Sequence, residues 1–337
     1  MHNFVTLYIS SSFWIIAKGY SLFKYYPETK EKILFAKVND SKYSLFARCS
    51  LTRRLFRAEI RHLYHFKNDE WMCIGKNALY RLNKTTKVFN KCFAITRGSR
   101  PMNLCQSNNG IIYFGEYYYN PNKNKVHIFQ SKDNGASWCI AYTFEEGEIN
   151  HIHGIFQDPF SNKVWVATGD DDSACILGYT EDNFKTFIRF AYGSQQVRLC
   201  QPLFTRDEII YATDSQYEQN NIISINRTTR EIKYLQKIQG SGIYATQNGN
   251  LMLVSTTVEP SLINTDQHSH LWYSWNGYNW KELVSFEKDW LPKTFFQFGS
   301  ILFPNHEDSL QYVIFYGRAL KKIDGKSVVI PLTQLEK

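Results

Sequence analysis

The chain has 337 residues, 43% of them hydrophobic and 16% aromatic, which excludes a disordered protein and supplies material for a large core. Thirty-nine Lys and Arg against 31 Asp and Glu leave a net charge of +8. That balance favours anionic partners by steering, but the cations are scattered and no nucleic-acid-binding motif occurs, so nucleic acid is not an expected partner.

In chain order, the first apolar run is Phe4 to Ile16, FVTLYISSSFWII. Met1, His2 and Asn3 precede it without a Lys or Arg, three serines interrupt it, and no small-residue cleavage site follows, so it does not read as a signal peptide. It is too short to cross a bilayer. It is expected to be a strand, in a cytoplasmic chain with no membrane span. Seven Cys without a CxxC pair agree with free thiols in a reducing compartment, several of them in apolar, strand-like surroundings, and argue against zinc held by Cys pairs. The densest basic stretch holds Arg48, Arg53, Arg54, Arg57 and Arg61, with no helix expected beneath it.

From there a polar turn recurs between β-rich runs. Tyr80-Arg-Leu-Asn83-Lys-Thr-Thr86-Lys matches Ser224-Ile-Asn226-Arg-Thr-Thr229-Arg. Ser131-Lys-Asp133-Asn-Gly135-Ala-Ser-Trp138 is echoed by Thr180-Glu-Asp182-Asn-Phe-Lys-Thr-Phe187 and, one residue shorter, by Ser274-Trp-Asn276-Gly277-Tyr-Asn-Trp280. Glu28-Thr29, Asn83, Asp133, Asp182, Asn226, Asn276 and Asp324-Gly325 stand in order, 44 to 55 residues apart. A repeat of that length is the size of a four-stranded blade. The expected fold is all-β: a single β-propeller over residues 1–337 with about seven four-stranded blades, six or eight being the neighbouring counts. The N-terminal strand is expected to complete the last blade. Asp and Asn side chains close such turns on nearby backbone, Gly135 and Gly277 supply positive φ, and Trp138 and Trp280 are placed to plug the gap between neighbouring sheets.

The Ser131 to Trp138 turn resembles the Asp-box (BNR repeat) of sialidase-type propellers, written Ser/Thr-x-Asp-x-Gly-x-Thr/Ser-Trp. The resemblance implies a propeller whose Asp-box turns are structural and lie far from the active site; it does not identify a reaction. For a sialidase it would imply an early Arg-Ile-Pro-like motif, an arginine triad and a Tyr with a Glu partner. Ser99-Arg100-Pro101 lacks the middle apolar residue, and Arg198 and Arg318 are the candidates to join it.

Blade geometry predicts where chemistry sits. The start of each first strand and the end of each second strand share one face, opposite the turns between strands three and four. Ends of second strands carry Glu116, Tyr117, Tyr118 and Asn120, then Asp170 and Asp171, then Asp214, Tyr217, Glu218 and Asn220, then Glu259, then Arg318. Starts of first strands carry Arg57, Arg100, His151 and His153, then Gln195 and Arg198, and finally Gln297. The strands between are apolar, so these polar ends converge on one rim, where propellers place ligands.

The residue types point to a glycan, expected to be anionic. Arginines clamp carboxylate or sulfate in a bidentate manner; tyrosines stack on sugars or donate a proton. His151 and His153 alternate on a strand and face the same way, as bases or as ligands of a divalent cation, the one cofactor the pattern allows. The combination of propeller, His, Tyr and Arg is similar to the oligogalacturonate and ulvan lyases. That similarity implies β-elimination, with Arg198 neutralising a uronate carboxylate, His151 or His153 as base and Tyr117 or Tyr118 as acid. A glycoside hydrolase would instead pair carboxylates among Glu116, Asp170, Asp214, Glu218 and Glu259. A non-catalytic propeller that binds a glycan or a protein is the third reading, and would show exposed aromatics without a poised acid–base pair.

Overall fold

The computed structural model describes residues 1–307 and 310–335. The apolar, β-branched and aromatic runs form strands, and these follow one another as antiparallel meanders. The first meander is β1 (Val5–Ile9), β2 (Trp14–Lys18), β3 (Ser21–Tyr25) and β4 (Lys32–Val38). Two short helices, α1 (Ser41–Phe46) and α2 (Ser50–Leu55), lead to β5 (His62–Phe66), β6 (Glu70–Gly75), β7 (Ala78–Asn83) and β8 (Val88–Ala94). The third holds β9 (Cys105–Gln106), β10 (Ile112–Gly115), β11 (Val126–Ser131) and β12 (Cys139–Phe144); the fourth holds β13 (His151–Gln157), β14 (Val164–Gly169), β15 (Ile176–Thr180) and β16 (Ile188–Tyr192). The fifth is β17 (Leu199–Phe204), β18 (Glu208–Thr213), β19 (Asn221–Asn226) and β20 (Ile232–Lys237), and the sixth is β21 (Ser241–Asn248), β22 (Leu251–Val258), β23 (His268–Ser274) and β24 (Lys281–Glu287). After α3 (Lys293–Phe296) come β25 (Gly299–Leu302), the two-residue β26 (Asn305–His306), β27 (Tyr312–Arg318) and β28 (Ser327–Pro331). The fold is an all-β propeller.

The core lies between successive sheets. Met72, Ile74 and Leu79 of the second meander pack on Ile112 and Phe114 of the third. Trp165, Ala167 and Leu177 meet Ile209 and Tyr211, and Ile210 and Ala212 meet Met252 and Val254. Each sheet is covered on both faces, which is why the second strands are unbroken apolar runs.

Six turns on the sequence ruler join a third strand to a fourth, as expected. In the third meander Asp133 Oδ1 accepts from Ser131 Oγ at 2.8 Å and from the Ser137 N–H at 2.9 Å, while the Gly135 N–H donates to Ser131 Oγ at 2.8 Å. Asp182 accepts from the Thr186 N–H at 2.9 Å, and Asn226 and Asn276 each close their turns on two backbone N–H groups. Gly135 has φ +83°, and a Cβ there would lie 2.7 Å from Met72 Sδ of the neighbouring sheet. Trp138 and Trp280 fill the gaps beside these turns.

Three expectations are corrected. Asp324-Gly325 lies between β27 and β28, the second and third strands of the last meander, and therefore on the rim face. Phe4 to Ile16 is a hairpin of β1 and β2 rather than one strand, with Ser10 Oγ accepting from the Ser12 and Phe13 N–H groups at the turn. Arg53 and Arg54 stand on α2. As expected, all seven cysteines are free and several are buried, namely Cys73, Cys105, Cys175 and Cys200, while Cys49 and Cys139 are exposed. The N-terminus does reach the last meander: His2 and Ser327 exchange backbone hydrogen bonds of 2.8 and 3.1 Å, and β26 lies parallel to β1. Among the described residues no helix is long and apolar enough to cross a membrane.

Candidate functional site

The polar strand ends enclose a cavity of about 560 Å³ on the rim face. Arg57, Arg100, Tyr117, Tyr118, His151, Asp170, Arg198, Asp214, Glu259 and Arg318 line it, joined by Arg61, Tyr217, Tyr244 and Gln297. A second cavity of about 310 Å³ runs down the axis among the inner strands, and His153 and Cys200 line that one. Met102, Ile243 and Tyr244 border both.

One half of the rim cavity is basic. Glu59 is buried at its base, with Arg318 Nε 2.9 Å, Arg53 Nη1 3.3 Å and Arg100 Nη1 4.0 Å from its carboxylate. Burial alone would raise its pKa, but Arg318, Arg53 and Arg100 overcome that and hold it at about 2. Arg57 and Arg61 stand above. Arg61 donates to Tyr244 Oη, and its carbonyl accepts from Tyr316 Oη at 3.2 Å. Arg100 is 8% exposed, and its Nη1 finds no hydrogen-bond partner among the described residues. Burial, and then Arg61, disfavours its charged form. A guanidinium nevertheless stays protonated in proteins, and the single carboxylate of Glu59, 4.0 Å from Arg100 Nη1, faces several arginines of this wall. Gln297 closes the same side. It is buried in a backbone conformation (φ 72°, ψ 162°) that is nearly confined to glycine. Its Nε2 donates to the Arg54 carbonyl at 3.3 Å, while its Oε1 finds no hydrogen-bond partner among the described residues.

The other half is an acid–base cluster. A register shift in β13 between Ile152 and Gly154 re-aims the strand at His153, and His151 pairs opposite Gly169. A Cβ on Gly169 would lie 2.5 Å from His153 Cε1, so that glycine makes room for the ring. The two Nε2 atoms stand 3.1 Å apart, with Asp170 Oδ1 3.4 Å from His151 and 3.6 Å from His153. Arg198 Nη2 donates to the same Oδ1 at 2.8 Å, and its Nε lies 3.8 Å from Asp214 Oδ2. Cys200 Sγ donates to Asp214 Oδ2 at 3.3 Å. Tyr117 stands edge-on to His151, its ring centroid 4.4 Å away. Burial, reinforced by Asp214, raises Glu259 to about 7.

Several expected site residues have other occupations. Glu116 is held by both arms of Arg97 and by the His127 N–H, outside the rim cavity. Tyr118 lines the cavity, but its hydroxyl donates to the Lys125 carbonyl at 3.1 Å. Asn120 fastens the Asn124 and Asn150 carbonyls, and Asn220 fastens the Ser215 N–H and carbonyl. Gln195 Nε2 donates to the Asp170 carbonyl at 2.9 Å and so positions that residue. Asp171 pairs with Lys123. Glu218 is exposed and does not line the cavity. Arg198 is engaged by two carboxylates. Glu59, Arg61 and Tyr244 were missed as site residues; the one signal for Glu59 was its place as an acid within the Arg53 to Arg61 stretch.

No family model matches the sequence, and no curated protein is similar to it. In three dimensions the chain is similar to the GH74 enzyme of Niastella koreensis, with a TM-score of 0.53 at 11% identity, over 83% of this chain and 45% of that one. The chain thus spans less than half of that enzyme's length. It is also similar to a chain of a mitotic checkpoint complex, with a TM-score of 0.49 at 8% identity, over 85% of this chain and 81% of that one. The likeness to the GH74 enzyme shows the propeller fold.

Proposed function

We propose that residues 1–337 act as one carbohydrate-active domain, a relative of the Asp-box propellers, and that the rim cavity cleaves an anionic glycan by β-elimination. The observation that carries this reading is the basic wall of Arg57, Arg61, Arg100 and Arg318, in which Arg100 is buried with an unpartnered nitrogen. A uronate carboxylate satisfies that wall, and neutralising it acidifies the neighbouring C5–H. Glu259, at about 7, takes the C5 proton. The electron pair forms the C4=C5 double bond, the C4–O bond breaks, and the leaving oxygen takes the proton of Tyr117. This assignment moves the neutralising role from Arg198 to the wall, because Arg198 faces Asp170 and Asp214. It moves the base from the histidines to Glu259, because the histidine Nε2 atoms face each other.

Hydrolysis is the second reading, favoured by Glu259 lying beside Asp214: one carboxyl keeps its proton near neutrality beside another carboxylate, as an acid and its partner require. The resemblance to the GH74 enzyme agrees with a carbohydrate substrate.

The experiment is incubation with a panel of acidic and neutral polysaccharides, followed by the ultraviolet absorbance of an unsaturated uronate and by reducing ends. Absorbance that rises in wild type and is lost in Arg100→Ala establishes elimination. Reducing ends without absorbance establish hydrolysis. Binding without either product leaves a recognition propeller.

A further inference from the structure

We infer that His151, His153 and Asp170 form a binding site for a divalent cation of the zinc class, set between the rim cavity and the axial cavity. The inference is independent of which reaction the cavity supports.

The first argument is the count of protons. His151 Nδ1 lies 3.1 Å from the Tyr118 carbonyl oxygen, and His153 Nδ1 lies 2.9 Å from that of Leu199. A carbonyl oxygen only accepts, so each Nδ1 carries its hydrogen and each neutral ring presents a lone pair at Nε2. Those two lone pairs and the Asp170 carboxylate converge on one point. Arg198 already donates to Asp170 Oδ1 at 2.8 Å, but the two Nε2 lone pairs repel unless a metal ion or a proton stands between them. His151 is 6% and His153 2% exposed, while Asp170 stands on the cavity side of the cluster.

The second argument is spacing. The three acceptor atoms form a triangle with sides of 3.1, 3.4 and 3.6 Å. Bonds of about 2.0–2.2 Å to a tetrahedral zinc ion place neighbouring ligand atoms about 3.3–3.5 Å apart. The three sides lie within about 0.2 Å of that spacing.

The third argument is support and charge. Carbonyl partners on both Nδ1 atoms are what orients metal-bound histidines. Asp170 is pinned through its own backbone: its N–H donates to Asn150 Oδ1 at 2.9 Å, and its carbonyl accepts from Gln195 and Arg198 at 2.9 and 3.1 Å. Asp170 and Asp214 place two carboxylates against the single Arg198 guanidinium, so the cluster is electronegative before a cation enters. His151 and Asp170 line the rim cavity. Three protein ligands leave a fourth position, the mark of a zinc site that meets a solute rather than one that is purely structural.

The test uses the full chain, stripped with a chelator and dialysed, then titrated with Zn²⁺ by calorimetry and with Co²⁺ by visible absorption. The expected result is one equivalent of Zn²⁺ per chain and the intense visible bands of tetrahedral cobalt, with His153→Gln losing both and Asp170→Asn binding at least about tenfold more weakly. Near-ultraviolet circular dichroism of each variant checks that it is folded. A folded wild type that takes up neither metal overturns the inference and leaves a proton shared between the two rings. Uptake undiminished in folded His153→Gln and His151→Asn also overturns it.

Discussion

Arg318 holds its Nε 2.9 Å from Oε1 of Glu59, joining the end of β27 to the segment that enters β5. Arg53 reaches the other carboxylate oxygen from α2 at 3.3 Å. One buried acid thus fixes the floor of the basic wall.

Glu59 carries a pKa of about 2, below the ordinary carboxyl value, because its arginines outweigh its burial. A depressed folded pKa contributes stability above the unfolded pKa and loses it as pH falls. The window runs from about pH 5 down to about pH 2, and the full contribution is about 3 kcal/mol. Glu59→Gln should lower the melting temperature at pH 7 and flatten the acid limb of the stability profile. Thermal melts across that window check both effects. An unchanged acid limb would show that Glu59 is not held ionised.

Glu259 has the opposite sign. Its folded pKa, about 7, lies above the unfolded value, so the folded state keeps a proton that the unfolded state loses, and stability declines as pH rises from about 4 to about 7. Glu259→Gln should raise stability at pH 8 by about 1–3 kcal/mol. The same variant tests the chemistry. If Glu259 is the base of an elimination, wild-type activity climbs with pH through about 7; if it is the acid of a hydrolysis, activity falls there. Rates measured from pH 5 to 9 separate the two.

Gln297 occupies backbone space that suits glycine. Gln297→Gly should stabilise the fold by about 1–3 kcal/mol while weakening glycan binding, because the cavity loses the Oε1 acceptor. A gain in melting temperature together with a loss in affinity is the expected pair. Unchanged affinity would show that Gln297 does not touch the ligand.

On the opposite face, Gly135→Ala should destabilise by more than about 1 kcal/mol, since alanine disfavours φ +83° and its methyl would press on Met72. Gly110, whose φ is +87° and whose Cβ would meet nothing, is the control. Its alanine variant should lose less stability in the same chemical denaturation experiment.

The fold was legible in the sequence where its causes are local. An Asp or Asn that closes a turn on the next few N–H groups acts within eight residues, as do the glycine and tryptophan that join it in the Asp133 and Asn276 turns, and five such Asp or Asn turns fell where the ruler put them. The rim followed from topology: once second strands were located, their polar ends had to meet. What the sequence concealed was occupancy. Glu116 and Glu259 read alike as acids after a strand, but Arg97 from another segment claims the first and leaves the second. Asn120, Asn220 and Gln195 resemble ligand-binding amides, yet each satisfies backbone groups within the blades. Asp324 mimicked a seventh turn because Asp-Gly suits many hairpins. Glu59 was missed because two of its arginine partners, Arg100 and Arg318, are remote from it in sequence.

The pairing of His2 with Ser327 has a temporal meaning. Ser327 Oγ accepts from the Thr6 N–H and donates to the Phe4 carbonyl, a clasp between residues 321 apart. While a ribosome is still making the later blades, the first sheet waits with one face uncovered, because the sheet that covers it has not been made. Closing so long a loop comes late and slowly. Until that moment the β1–β4 meander is the exposed surface on which a nascent chain of this kind is open to a chaperone or to aggregation.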